Sequence, residues 1–189
     1  MEELLQHVKK MKPGDHVMLI YSDLKEKHEI LFTYLEAGLE KGEAAAYVAS
    51  EEAPEQIKRA MRKFGVDVTR CERNRALKVI DYKDWYVIDG KFDPRKTIRL
   101  WGKLLEELNV RGFKGLRATG EMACFFEHEM VKELVEYERA QGRTWFPMTA
   151  LCAYNLKHLV DRKGGVELLL QLINAHAATI NRGGVNMTV

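Results

Sequence analysis

The chain has 189 residues, of which 46% are hydrophobic and 31% charged, and this length and composition predict one globular domain. Its net charge of +2 is too small to indicate direct binding to nucleic acid or to a membrane surface. Three cysteines without a CxxC pair, an acidic N-terminus and apolar runs shorter than the ~18 residues of a membrane span predict a cytoplasmic protein with reduced thiols.

Strands and helices alternate along the chain, because short apolar runs and amphipathic segments follow one another. This alternation predicts an α/β fold in which helices cover both faces of a mainly parallel central sheet. In chain order we expect strands at residues 16–21, 44–49, 76–81, 115–119, 145–154 and 177–180. Helices are expected at residues 1–12, 23–42, 54–65, 93–112, 128–140 and 166–173, and residues 182–189 are expected to form a loose tail.

The first strand and helix have the outline of a nucleotide-binding βαβ unit of the RecA/KaiC kind but lack its phosphate loop. Such a loop needs glycines, whose backbone N–H groups converge on phosphate oxygens, and a lysine that reaches them. Residues 21–28 read YSDLKEKH, and no Gly-Lys-Ser/Thr motif occurs in the chain. We therefore expect a degenerate phosphate loop, no cofactor, no catalytic residues and no enzymatic activity.

Polar side chains follow the predicted strands at their carboxyl ends, where open parallel sheets bind ligands. This rim is rich in carboxylates and phenols and poor in basic groups, so it favours a small cationic or weakly polar ligand over a polyphosphate. Its candidate residues are Tyr21, Ser22, Glu51, Asp81, Tyr82, Glu121, Tyr154 and Asn155. The alternatives are that Glu121 caps the following helix, and that Tyr21 and Tyr154 are aromatic residues at the edge of the core.

Three further polar residues belong to otherwise apolar patterns. Cys152 stands inside an apolar strand, which predicts a small buried side chain, with a reactive thiol as the alternative. His16 begins the first strand and has no partner at a diagnostic spacing, so we expect no metal centre. Glu138 follows Leu134 by four residues on the inward stripe of its helix, so its carboxylate needs a partner. We expect a buried arginine or lysine there; otherwise Glu138 supports the ligand pocket.

Several short motifs follow one another in a distinctive order. They are Gly14-Asp15-His16, residues 36–43 (EAGLEKGE), Tyr47-Val48-Ala49, residues 89–93 (DGKFD), residues 116–122 (LRATGEM), Tyr137-Glu138 and residues 150–154 (ALCAY). In order and spacing, over roughly residues 14–180, the chain resembles the MEDS family of methanogen/methylotroph, DcmR-type sensory domains.

This resemblance implies a RecA/KaiC-like three-layer sandwich without a working phosphate loop. It also implies a role in sensing small molecules, such as hydrocarbon derivatives, in signalling or transcriptional control. By motif match, the resemblance makes candidate site residues of His16, Tyr21, Glu121, Glu138, Cys152 and Tyr154.

These observations lead to one principal hypothesis and two alternatives. The principal hypothesis is a non-catalytic sensory domain that binds a small organic ligand at the rim, against Tyr21, Glu121 and Tyr154. Such a domain would signal through a separate signalling or regulatory protein, or by self-association into a homo-oligomer. The first alternative is a divergent nucleotide-binding, ATPase-like protein. The second is an assembly protein without a ligand, in which the N-terminal helix docks on a neighbouring copy.

Overall fold

The computed structural model describes residues 1–143 and 148–188, which form a three-layer α/β sandwich. The strands are β1 (His16–Tyr21), β2 (Ala44–Ala49), β3 (Leu77–Asp81), β4 (Val87–Ile88), β5 (Lys91–Phe92), β6 (Leu116–Glu121), β7 (Met148–Asn155), β8 (Ala178–Asn181) and β9 (Gly184–Met187). Seven of them form one sheet in the order β3-β2-β6-β7-β1-β8-β9, and neighbours are parallel except β8 and β9. The predicted mainly parallel sheet is therefore confirmed.

Helices cover both faces of this sheet. They are α1 (Glu2–Lys10), α2 (Leu24–Glu40), α3 (Pro54–Phe64), α4 (Val68–Arg73), α5 (Pro94–Val110), α6 (Ala123–Glu127), α7 (Val131–Arg143), α8 (Leu156–Val160) and α9 (Gly165–Ile173). Apolar side chains of α1 to α4 pack on one face, here called the α2 face, and those of α5 to α9 pack on the other, the α7 face. Within the described residues, no helix combines the length and the apolar character needed to cross a membrane.

The strands send alternate side chains to the two faces, because successive residues of a strand point in opposite directions. In β1, Val17 and Leu19 pack on the α2 face, whereas Met18 packs on the α7 face. In β7, Leu151 lies on the α2 face and Cys152 on the α7 face. The same rule divides the polar strand residues between the faces, and it decides which of them can meet.

Helix α1 packs against α2 of the same chain. Leu4 and Val8 are buried in the core of the α2 face, where α1 contacts α2. The buried guanidinium of Arg117 donates hydrogen bonds to the carbonyl groups of Val8 and Met11 and forms a 2.7 Å ion pair with Glu43. The apolar side of α1 is thus used within the chain, whereas the assembly hypothesis assigns it to a neighbouring copy.

Two segments differ from the sequence-based expectations. Where one helix is expected at residues 128–140, the structure has the short α6 followed by α7, which begins at Val131. Glu129 lies between them with a φ of 56°, a left-handed conformation that ends helices. Residues 182–189 are expected to be a loose tail, but Val185 pairs with Ile180 in an antiparallel hairpin that makes β9 the edge strand. Residues 145–147 of the strand expected at 145–154 lie outside the described residues.

Candidate functional site

The structure divides the predicted site residues between two polar groups on opposite faces of the sheet. The group on the α2 face, here called the lysine cluster, consists of Tyr21, Lys27, Tyr47, Glu51, Glu52 and Glu121. The group on the α7 face, here called the histidine cluster, consists of His16, Glu138, Cys152 and His176. Ser22 is exposed in the loop after β1 and belongs to neither group.

Lys27 lies at the centre of the lysine cluster. It belongs to the first turn of α2, and its side chain is fully buried. Its ammonium nitrogen lies 2.6 Å from Glu121, 3.0 Å from Glu52 and 3.3 Å from Glu51. Burial alone would lower the pKa of Lys27, but these carboxylates outweigh it and raise the pKa above its usual range. Lys27 therefore stays positively charged inside the protein.

Glu121, at the end of β6, is saturated by donors from the chain itself. Its Oε1 accepts hydrogen bonds from Lys27 and from the hydroxyl of Tyr47, each at 2.6 Å. Its Oε2 accepts from the backbone N–H groups of Ser50 and Glu51, also at 2.6 Å. With two hydrogen bonds on each oxygen, the acceptor capacity of the carboxylate is used. Glu121 thus ties β6 to the end of β2, and it does not cap α6.

The neighbouring rim groups are also engaged within the chain. Glu51 accepts hydrogen bonds from the hydroxyl of Tyr21 and from the amide of Asn155, the latter at 2.9 Å. In the loop after β1, Asp23 accepts from two backbone N–H groups in the first turn of α2. Those N–H groups are the ones that could otherwise bind a phosphate oxygen at a helix N-terminus, so the chain itself caps this position.

The histidine cluster lies between β1, β7 and α7. Its four ligand-type atoms all lie within 4.8 Å of one another. His16 Nε2 lies 3.0 Å from Glu138 Oε2 and 3.4 Å from Cys152 Sγ. Glu138 Oε2 also lies 3.5 Å from His176 Nε2 and 3.7 Å from the sulfur. Among the described residues, Glu138 is thus paired with histidines and not with the arginine or lysine expected from the sequence.

Contacts with surrounding groups orient the members of this cluster. Because a carbonyl oxygen only accepts, Nδ1–H of His176 donates to Leu172 at 2.7 Å, and this tautomer leaves a lone pair on Nε2. That Nε2 atom is buried and makes no hydrogen bond to any residue that the structure describes. Burial and the neighbouring His16 lower the pKa of His176 to about 4, so its ring is neutral at pH 7. On the other side, the hydroxyl of Tyr154 donates to Oε1 of Glu138.

The thiol of Cys152 is buried within the cluster. Burial raises the pKa of Cys152 well above its usual value, and the neighbouring carboxylate of Glu138 raises it further. A reactive cysteine needs a stabilised thiolate and access to its substrate. The environment of Cys152 therefore argues against nucleophilic catalysis, even though His16 lies within 3.4 Å of the sulfur.

A surface cleft reaches the two histidines from the amino ends of β1 and β8. Its volume is about 370 Å³, and it is lined by Gly14, His16, Arg139, Asn174, Ala175, His176 and Ala177. His16 and His176 are 8% and 3% exposed. The cleft lies at the opposite end of the strands from the lysine cluster, so the two polar groups are separated by the sheet and by their positions along it.

Comparison with known proteins agrees with this architecture. The model of the family described as MEDS, MEthanogen/methylotroph, DcmR Sensory domain, matches residues 15–177, most of the chain. The chain belongs to the MEDS family.

A solved structure places this MEDS domain among RecA-like folds. It is a KaiC-like protein from the hyperthermophilic archaeon Pyrococcus horikoshii OT3, which superposes with a TM-score of 0.62 at 15% sequence identity. The match covers 89% of this chain and 71% of that chain. At this level of identity the likeness shows the fold alone. No curated protein matches the sequence.

Most of the acidic groups in the two clusters of this MEDS domain are predicted by the sequence pattern, but three of their partners, Lys27, Tyr47 and His176, are not. Lys27 had a usable signal, because Ile30 and Leu31 follow it by three and four residues and share its buried side of α2. Tyr47 is a phenol inside an apolar strand, and alternation along that strand could have assigned it to the face of Glu121. His176 had no comparable signal, since the folded sheet alone brings it to the cluster.

Proposed function

We propose that this MEDS domain is a non-catalytic sensory domain that binds a small ligand at the histidine cluster, by way of the cleft beside His16 and His176. The family is described as sensory, and the site is chosen on one observation. Nε2 of His176 is a buried acceptor without a hydrogen-bond partner among the described residues, and His176 lines an open cleft. Leaving such an atom unpaired costs about 1–3 kcal/mol, so a ligand that satisfies it gains affinity.

The rim at the carboxyl ends of the strands is less suited to an added ligand. A ligand that binds Glu121 would have to displace Lys27 or a backbone donor. A ligand that binds Glu51 would compete with Tyr21. Tyr154, the third contact of the principal hypothesis beside Tyr21 and Glu121, directs its hydroxyl to Glu138 in the histidine cluster. The lysine cluster is accordingly proposed as an internal tie between strands.

Ligand binding at the histidine cluster would act on α7. Glu138 belongs to that helix, whereas His16 and Cys152 belong to strands of the central sheet. A ligand that contacts both α7 and the sheet favours one spacing between them. It shifts the equilibrium between two positions of α7 only as far as its affinities for those two positions differ. A separate signalling or regulatory protein would then recognise the changed position of α7.

Thermal unfolding and amide hydrogen exchange test this proposal. The purified protein is screened against small alcohols, amines and other hydrocarbon derivatives, and against divalent metal ions. We expect a binder that raises Tm and slows exchange in α7, and His176→Gln should abolish both effects. His128→Gln changes an exposed histidine and should respond like the wild type. The proposal would be refuted if the screen finds no binder, or if a binder raises Tm and slows exchange in His176→Gln as much as in the wild type.

Divergent nucleotide binding is the second candidate function. The KaiC-like fold and the position of Lys27 in the first turn after β1 favour it. The engagement of Lys27 by three carboxylates, and the capping of α2 by Asp23, disfavour it. Calorimetry with ATP and magnesium should therefore show no binding. Heat that appears with the wild type and disappears in a Lys27→Ala protein that circular dichroism shows to be folded would establish this candidate instead.

A further inference from the structure

We infer that the histidine cluster is a tetrahedral site for a divalent transition-metal ion of the zinc type. Its four ligands are His16, Glu138, Cys152 and His176. The inference deepens the proposed function and rests on it for the role of the site, since it names the chemical class of the ligand. Two imidazoles, a thiolate and a carboxylate suit zinc or cobalt, whereas magnesium and calcium require oxygen ligands.

Four of the six distances between the donor atoms are close to those between the corners of a coordination tetrahedron, and all six lie within 4.8 Å. Zinc bonds of about 2.0–2.1 Å to nitrogen or oxygen and about 2.3 Å to sulfur place neighbouring donors about 3.3–3.6 Å apart. Oε2 of Glu138 lies 3.0 Å from His16, 3.5 Å from His176 and 3.7 Å from Cys152. His16 Nε2 lies 3.4 Å from the sulfur. An ion at the centre would therefore need only small movements of these side chains.

Surrounding groups hold two of the four donors, those of His176 and Glu138, as metal ligands are commonly held, whereas Nδ1 of His16 has no hydrogen-bond partner among the described residues. A metal-bound histidine usually donates its other ring N–H to a carbonyl or carboxylate, and His176 donates to the carbonyl of Leu172. Its Nε2 then carries an unpaired acceptor 3.5 Å from Glu138. Tyr154 orients the carboxylate of Glu138 by donating to the other oxygen. These two contacts leave Nε2 of His176 and Oε2 of Glu138 facing the centre of the histidine cluster.

The charge of the cluster also fits a divalent cation. Glu138 is fully buried, and in the described part of the chain the basic side chains within 4.0 Å of its carboxylate are the two imidazoles, of which that of His176 is neutral at pH 7. On metal binding, the carboxylate of Glu138 and the thiolate of Cys152 would supply two negative charges, and the thiol proton would pass to solvent. The ion, two neutral imidazoles and these two anions are together neutral, which is the favourable state for a buried site.

The cleft supplies a route for the ion. His16 and His176 line it, while Glu138 and Cys152 lie behind them in the core of the α7 face. An entering ion would meet the imidazoles first and the anionic ligands afterwards. The site therefore has an entry path as well as a donor set.

Titrations of the 189-residue protein with cobalt(II) and zinc test the site. Before titration, the protein is treated with a chelator and with a reductant that contains no thiol. We expect one ion per chain, with visible absorption typical of tetrahedral cobalt and a thiolate-to-cobalt charge-transfer band. Cys152→Ser should remove that band and weaken zinc binding by about 100-fold or more. Cys124→Ser, which changes a buried cysteine outside the cluster, should retain both. His176→Gln should weaken binding and His128→Gln should not, with circular dichroism as the check on folding.

The outcomes separate this inference from the proposed function. Absence of cobalt and zinc binding by the wild type, or an unchanged cobalt spectrum in Cys152→Ser, would overturn the metal site. Zinc binding without any change of hydrogen exchange in α7 would support the metal site and refute the sensory role. The protein could instead bind no metal but show a change of hydrogen exchange in α7 with an organic molecule, and lose that change in His176→Gln. This outcome would refute the metal site and support the sensory role.

Discussion

The ammonium nitrogen of Lys27 lies 2.6 Å from a carboxylate oxygen of Glu121, and both side chains are fully buried. Lys27 lies in the helix that follows β1, whereas Glu121 ends β6, and β7 lies between these two strands. The ion pair thus spans three strands at the end of the sheet where open α/β folds bind ligands. An anionic ligand arriving there would meet a cation that is already neutralised by carboxylates.

Replacing Lys27 should destabilise the protein strongly. Lys27→Met keeps most of the side-chain volume but leaves Glu121 buried beside Glu51 and Glu52 without the cation. Breaking a buried pair in this way costs about 3–5 kcal/mol, to be measured as the free energy of unfolding in urea. Lys25→Met, at an exposed position of the same helix, should change it by less than about 0.5 kcal/mol. Equal stabilities of the two variants would contradict the structural role given to Lys27.

The stability that Glu52 contributes should depend on pH. Burial alone would raise the pKa of Glu52, but the contacts with Lys27 and His28 outweigh it and lower the pKa below its usual range. Such a carboxylate stabilises the fold above its unfolded-state pKa of about 4.3, and that contribution is lost as the pH falls through the lower folded-state pKa. Below about pH 5, the free energy of unfolding should therefore fall more steeply in the wild type than in Glu52→Gln.

Urea unfolding at pH values from about 7 to about 3 measures these slopes. Glu3→Gln changes an exposed glutamate in α1 and serves as the control. Its free energy of unfolding should change with pH as steeply as that of the wild type. If the free energy of unfolding falls as steeply with decreasing pH in Glu52→Gln as in Glu3→Gln, the pairing of Glu52 with Lys27 and His28 makes no contribution to stability.

A methyl group at Gly38 should disturb the anchoring of α1. The Cβ of an alanine there would lie 2.5 Å from Cδ of Arg117. Arg117 has little freedom to move, because it pairs with Glu43 and donates to the carbonyl groups of Val8 in α1 and of Met11 just after it. We expect Gly38→Ala to cost about 1–3 kcal/mol of stability, although alanine favours helices over glycine. Hydrogen exchange in α1 should become faster.

Gly115→Ala is the matched control for that substitution. Its Cβ would lie 3.5 Å from the nearest atom, the Oε1 of Glu43, which is an ordinary contact. Removing a glycine without strain stabilises a protein by about 0.4–1 kcal/mol. A Gly38→Ala protein as stable as Gly115→Ala would mean that Arg117 can shift without loss.

Local sequence patterns predicted the elements well, and contacts between elements less well. The bounds of β1 and β2 follow from apolar runs that begin after glycines. The rule for parallel strands placed Tyr21, Glu51 and Glu121 on one rim, and the structure brings them together. Tyr154 was assigned to the same rim, but it lies on the α7 face and reaches Glu138 instead.

The histidine cluster was beyond the reach of sequence patterns. It forms because β1 lies between β7 and β8 in the sheet, and one sequence does not determine that strand order. His16 starts β1, and His176 lies just before β8, so the two rings meet with centroids 4.1 Å apart. The spacing rules for metal motifs cover ligands that are close in sequence. They miss ligands that a sheet assembles from distant strands.

Tyr154→Phe should weaken metal binding while leaving the fold intact. The substitution keeps the buried ring but removes the hydroxyl that donates to Glu138, so the carboxylate loses the contact that orients it. Loss of such a supporting contact lowers metal affinity by about 10–100-fold. Zinc competition against a chromophoric chelator measures the change, and urea unfolding checks stability.

Tyr82→Phe is the control for this last substitution. Its hydroxyl contacts the exposed His128, far from the histidine cluster in the fold, so zinc affinity should match the wild type. If Tyr154→Phe also binds zinc as the wild type does, the hydroxyl of Tyr154 does not position Glu138 for metal binding. A loss confined to Tyr154→Phe would identify Tyr154 as a positioning residue, because its hydroxyl acts on the ion only through the carboxylate.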